Sequence, residues 1–170
     1  MLTRRRFLEC AALAGLTAAL PGGVSAAPAP ITKTIPRTQR AQVLATFFEM
    51  GGGMIDSSPM YGSSEAVIGH GLAALGKPNT LFAATKVWTP GQDHGIRQMA
   101  ESERLWGVRP FDLLQVHNLL GWEGHLETLT QWKADGRVRH IGITTSHGRR
   151  HDELAAIMKT QPIDFVQLTY

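Results

Sequence analysis

The chain has 170 residues, with 17 Lys and Arg set against 14 Asp and Glu, and a formal net charge of +3 at neutral pH. Part of that excess is Arg4, Arg5 and Arg6 and the rest is dispersed, so nucleic acid is not implied as a partner. The one cysteine, Cys10, lies at the N-terminal end, so no internal disulfide can form and stability has to come from packing.

Arg4 and Arg5, followed by Phe7, Leu8 and a small-residue apolar run that offers Val24-Ser25-Ala26 for cleavage, read as a twin-arginine (Tat) export signal over residues 1–26. Residues 11–20 are too few and too alanine-rich for a membrane span, which needs roughly 20 apolar residues. The Tat translocon is the expected partner of this segment, and a periplasmic or exported location the expected consequence. Residues 27–37 read as a linker or the remnant of a short N-terminal hairpin, and 38–170 as the folded domain.

Within that domain, "TQRAQVLATFFEMG" places Ala41, Leu44, Ala45 and Phe48 at helical spacing and closes on Gly51. "GGMIDSS" follows as a short buried strand. Ser63 or Ser64 can cap the next helix, with Glu65 near its positive end, Val67, Ile68 and Leu72 as its apolar stripe, and Gly76 and Pro78 as its stop. The alternation continues with a strand at 80–87, a helix at 92–106 ending on Gly107, and a strand at 111–117. A helix from Trp122 carries Leu126, Leu129 and Trp132 inward and stops at Gly136. A strand at 138–145, a helix at 151–160 carrying Leu154, Ile157 and Met158, and a last strand from Asp164 complete the series.

Near-continuous apolar strands separated by single helices predict an α/β chain with a parallel sheet, because parallel strands need crossovers of that length. Both an eight-stranded barrel and an open doubly wound sheet meet that description. The polar residues favour the barrel: Asp56, Lys86, His117, Thr144, Thr145 and Gln167 fall at or near the C-terminal ends of successive strands, and no G-x-G-x-x-G follows any strand. "GGG" at 51–53 lacks the lysine of a phosphate loop, no G-x-S-x-G supports a serine hydrolase, and His147 with His151 lacks a third metal ligand.

On neighbouring staves, Asp56, Tyr61, Lys86 and His117 converge. A phenol is a poor acid at neutrality, and a lysine ammonium at about 4 Å, contributing roughly 1–4 kcal/mol, is expected to lower its pKa. Asp56 would hold the lysine charged, and His117 could donate a hydrogen bond to a carbonyl oxygen. Such a set suits protonation of that oxygen as hydride reaches its carbon. Taken singly, each residue has a plainer role: a loop cap, an edge lysine, a packed aromatic, a core histidine.

The segments "GGGMIDSSPMYGSSEAVIGHGL", "LFAATKVW", "DLLQVHN", "DGRVRHIGITTS" and "DFVQLTY" resemble, in order and spacing, the aldo/keto reductases over roughly residues 38–170. The resemblance implies a TIM (β/α)8 barrel that binds NADPH without a Rossmann motif and reduces an aldehyde or ketone, a small-molecule carbonyl substrate. It carries the family's tetrad onto Asp56, Tyr61 as proton donor, Lys86 and His117. Cofactor contacts fall on Asp56, Thr144, Thr145 and Gln167, with the two threonines standing where many members have serine and asparagine.

The chain departs from the family in extent. No counterpart of the first strand and its glycine-rich turn precedes residue 38, and the chain stops before a seventh and eighth strand. The expectation is therefore a partial TIM barrel, about five parallel strands alternating with five helices, with open edges and an uncovered inner face. A non-catalytic, barrel-derived binding module is the alternative to an enzyme.

Overall fold

The computed structural model describes residues 37–169. The export signal and nearly all of the linker fall on residues outside the described ones.

Five helices alternate with five strands: α1 Arg37–Glu49, β1 Met54–Asp56, α2 Ser64–Leu75, β2 Phe82–Val87, α3 Gln92–Trp106, β3 Phe111–Val116, α4 Trp122–Ala134, β4 Val138–Thr145, α5 His151–Thr160 and β5 Phe165–Leu168. The sheet order is the chain order, β1-β2-β3-β4-β5, and every pairing is parallel. The result is a curled half-barrel with its helices on the outer face. None of the described helices is long and apolar enough to cross a membrane.

The helices end where the chain supplies a residue that can leave the right-handed region. Gly76 takes φ 72°, and the following Lys77 N–H donates to the Leu72 carbonyl at 3.0 Å, closing α2 with a left-handed turn. Inside the same helix Gly69 has a different task. A Cβ there would lie 1.8 Å from the Leu105 carbonyl oxygen, so its lack of a side chain is what lets α2 approach α3.

Strand alternation divides the core. Ala83 and Val87 of β2, Leu114 and Val116 of β3, and Ile141 and Ile143 of β4 turn outward into one apolar cluster with Met99, Trp106, Leu126 and Leu129 from the helices. Trp106 and Phe111 meet edge-on at 5.4 Å, within the preferred range for aromatic pairs. The opposite parity, Ala84, Lys86, Leu113, Gln115 and Gly142, faces the concave side. All six residues of β3 are buried, as in a strand covered on both faces, whereas Met54 of β1 and Phe165 and Leu168 of β5 stay exposed.

Three expectations are corrected. Met158 does not join Leu154 and Ile157 in the core but is 50% exposed, because it follows Ile157 around the helix onto the solvent side. Ser63 occupies the N-cap position of α2 without a side-chain bond to the helix, and the Ser64 hydroxyl instead meets that of Ser57 at 2.8 Å. The strand β1, expected to be buried, exposes Met54 and Asp56. Glu65 does stand in the first turn of α2, as expected. It is 3% exposed and accepts hydrogen bonds from Thr85 Oγ1 (2.7 Å), Ser102 Oγ (3.1 Å) and Trp106 Nε1 (3.1 Å), fastening the first turn of α2 to β2 and α3.

Candidate active site

Asp56 is the last residue of β1, Lys86 the penultimate residue of β2, and His117 the first residue beyond β3. Parallel in-register pairing brings these ends to one rim, with Asp56 opposite Ala84 and Lys86 opposite Gln115. The loop after β1 then carries Tyr61 across the same rim.

Lys86 is 1% exposed, and a buried ammonium is tolerated only with partners. Its Nζ donates to Asp56 Oδ2 at 2.5 Å and to the Ser57 carbonyl at 3.0 Å. Gln115 Nε2 donates to the other Asp56 oxygen at 3.4 Å, at the long end of hydrogen-bond range. The ammonium also lies 5.5 Å from the centre of the Tyr61 ring, within range of a cation–π contact. Tyr61 and His117 meet edge-on at 5.8 Å, and Trp88, 39% exposed, stands 6.5 Å from His117. The structure thus brings together all four members of the tetrad read from the sequence.

Their electrostatics differ from the expectation in one respect. The Tyr61 phenol is pushed above its ordinary pKa, first by burial and then by the Asp56 carboxylate. The sequence-based argument had Lys86 lowering it. The reversal has two causes: burial penalises the phenolate, and the Asp56 carboxylate, which pairs with the ammonium at 2.5 Å, also disfavours it. His117 is held below its ordinary pKa, chiefly by burial and then by the positive charge of Lys86, against a smaller opposing effect of Asp56. The phenol is therefore protonated and the imidazole neutral at pH 7.

Thr144 and Gln167 stand side by side as register partners on β4 and β5. Thr144 is buried and accepts the Asn118 N–H at 3.0 Å, whereas Gln167 is exposed, and its carboxamide bonds to no described residue. Thr145 turns its hydroxyl into its own loop, donating to the His147 carbonyl at 3.2 Å. Among the described residues no three His, Cys, Asp or Glu side chains come together as a metal site.

Sequence reasoning missed three contributors. Ser58 is fully buried with its hydroxyl 2.9 Å from His117 Nδ1. Gln115 steadies Asp56. Asn118 takes a left-handed conformation (φ 54°) just after His117 and accepts both the backbone N–H and the hydroxyl of Ser146 on Oδ1, each at 3.0 Å. The signal for Ser58 and Gln115 was parity: each lies on the face of its strand, or of that strand's extension, that a tetrad member occupies.

The family model described as "Aldo/keto reductase family" matches residues 22–170. An uncharacterized oxidoreductase of Saccharomyces cerevisiae is 29% identical over 142 residues, 72% of this chain and 48% of that protein. The aldo-keto reductase str7 of Strobilurus tenacellus is 28% identical over 143 residues, 78% of this chain and 41% of that protein. Among solved structures, a thermostable aldo-keto reductase, Tm1743, in complex with the inhibitor epalrestat superposes with a TM-score of 0.65 at 25% identity, covering 79% of this chain and 51% of the other. The chain spans about half the length of the curated relatives it matches.

Proposed function

The chain belongs to the aldo/keto reductase family, and from that premise we propose that its site reduces an aldehyde or ketone to the alcohol with NADPH, Tyr61 serving as the proton donor. The observation that carries this reading is the buried Lys86 ammonium, paired with Asp56 at 2.5 Å, near the Tyr61 ring and with a neutral His117 beside that ring.

The residues present suit a nicotinamide. Its carboxamide needs one donor and one acceptor, and Gln167 offers both on an exposed, unengaged side chain next to the Thr144 hydroxyl. Thr144 and Gln167 would hold that group, with Asp56 and Thr145 closing the same rim. When bound, NADPH supplies the hydride that reaches the carbonyl carbon.

The protein's own side chains handle the proton. Tyr61, fully protonated at neutral pH, delivers the phenolic proton to the carbonyl oxygen as negative charge develops there, and the O–H bond it gives up becomes the O–H bond of the alcohol. The Lys86 ammonium, held in place by Asp56 beside the Tyr61 ring, supplies positive charge for the phenolate left behind. His117, neutral and still carrying one ring proton, donates a hydrogen bond to the same oxygen. Trp88 supplies an apolar wall at the mouth.

Residues 1–26 would deliver this domain through the Tat translocon to the periplasm or an equivalent exported location, a reading supported by the Arg4-Arg5 pair and the Val24-Ser25-Ala26 site. A reporter fused after Ala26 is expected to be exported only while Arg4 and Arg5 are intact, and export that survives their replacement by lysine would overturn it.

For the chemistry, the test is Tyr61→Phe, assayed by NADPH oxidation with a generic aldehyde and by quenching of NADPH fluorescence. The expected result is a loss of about 10²–10⁴ in kcat with cofactor affinity kept. Turnover unchanged by the substitution would remove Tyr61 from the role.

A further inference from the structure

We infer that Ser58 is a positioning residue that fixes His117 in the tautomer with its proton on Nε2, making that N–H the group presented to the carbonyl oxygen. The loop between Asp56 and Tyr61 is thereby more than a turn.

The count of protons and lone pairs around Ser58 fixes the tautomer. Ser58 is fully buried, and its Oγ has two polar neighbours among the described residues: the Met60 N–H at 3.2 Å and His117 Nδ1 at 2.9 Å. The Met60 N–H can only donate, so it occupies one lone pair of the hydroxyl oxygen. The hydroxyl carries one proton of its own, and Nδ1 is the acceptor available for it. Were Nδ1 protonated instead, Ser58 Oγ would accept twice and leave its own hydrogen buried with no acceptor, a costly arrangement. Donation from Ser58 Oγ to Nδ1 satisfies every group, and it leaves the imidazole proton on Nε2.

The other ring nitrogen is placed to use that proton. Nε2 has no hydrogen-bond partner among the described residues, so none of them engages its proton. The charged and titratable groups facing the ring are Lys86, Asp56 and Tyr61. None of them hydrogen-bonds to the ring, so none competes with Ser58 in choosing the tautomer.

Ser58 also touches the proton donor through its backbone. Its carbonyl accepts the Tyr61 N–H at 2.9 Å, closing a four-residue turn with Pro59 in the second position. One residue thus sets the orientation of the histidine with its side chain and the entry of the tyrosine with its main chain.

The consequence for turnover rests on the carbonyl-reductase reading, whereas the tautomer itself does not, so the experiment separates the two. In the full chain with ¹⁵N-labelled histidine, long-range ¹H–¹⁵N correlation near pH 7.5 is expected to show the His117 proton on Nε2 and an Nδ1 resonance shifted by hydrogen-bond acceptance. In Ser58→Ala the Nδ1 resonance is expected to move to the position of a nitrogen without that bond, kcat to fall several-fold with the Michaelis constant for NADPH unchanged, and Ser58→Thr, which keeps the hydroxyl, to restore both. A proton on Nδ1 in the unsubstituted chain, or an Nδ1 resonance unmoved in Ser58→Ala, would overturn the inference. If Ser58→Ala does not fold, the first spectrum decides alone. Failure of the chain to reduce any aldehyde would count against the proposed reaction and leave the tautomer result standing.

Discussion

Lys86 and Asp56 form an unequal pair: at 2.5 Å from each other, the ammonium is 1% exposed and the carboxylate 24%. Removing one partner is therefore a different experiment from removing the other. Asp56→Asn leaves a buried ammonium with only the Ser57 carbonyl and a neutral amide, and is expected to cost about 3 kcal/mol. Lys86→Met leaves a carboxylate that water can reach, and is expected to cost less than half as much. Chemical denaturation of both variants checks the order, and equal losses would argue against the asymmetry.

His117 provides a pH prediction. Its pKa in the fold lies below the ordinary value, so the unfolded chain takes up a proton first as pH falls. Its contribution makes stability decline as pH drops through the ordinary histidine range, levelling once the folded His117 is also protonated. The His117 ring resonances should titrate below the ordinary histidine range. In Lys86→Met the titration should move upward, because one cause of the depression is removed while burial remains.

Glu65 should matter to stability more than a helix-surface acid does. Glu65→Ala strands two buried donors, Thr85 and Trp106, leaves Ser102 only the Gln98 carbonyl at 3.3 Å, and is expected to cost about 3 kcal/mol. Glu65→Gln keeps the shape and should recover part of that loss. A change below about 0.5 kcal/mol in urea unfolding of Glu65→Ala, the range of ordinary surface substitutions, would contradict the observed network.

Asp164 fastens the last strand. Its carboxylate accepts the Ile141 N–H at 2.8 Å and takes two bonds from Lys133 Nζ at 2.6 and 2.7 Å. Burial opposes ionisation here, but the Lys133 and Ile141 bonds prevail and hold the carboxyl below its ordinary pKa. The stabilisation is present above the ordinary carboxylate range and is lost as pH falls through the lower folded value. Asp164→Asn is expected to destabilise by about 1–2 kcal/mol at pH 7 and to show a weaker acid dependence of its melting temperature.

Much of this architecture is readable from the chain because two periods are clearly written in it. Leu126, Leu129 and Trp132 recur at helical spacing and are all buried, while "DLLQV" reads as a near-continuous apolar strand and is buried throughout. Asp56, Lys86 and His117 were visible as polar residues at the ends of apolar runs. What was not readable depends on distance in sequence. The donors that make Glu65 a buried anchor come from 20, 37 and 41 positions away. The Asp56–Lys86 pairing was expected, but not that burial and the Asp56 carboxylate would together raise the Tyr61 pKa. The role of the Ser58 hydroxyl was not readable because its partner is 59 positions distant.

The left-handed pair Asn118 and Leu119 (φ 54° and 55°) is a costly conformation for side chains of this kind, and it is held from several sides: Thr144 Oγ1 on the Asn118 amide, Ser146 on its side chain, and Arg150 Nη1 on its carbonyl at 2.5 Å. The same few residues thus splice the imidazole's strand end to the threonine that would flank the nicotinamide. Evolutionary or engineered changes at Asn118, Thr144 and Arg150 should consequently be epistatic, a second substitution costing little once the first has released the splice. A thermodynamic cycle over Asn118→Ala and Thr144→Val would reveal that coupling as a combined penalty well short of the sum.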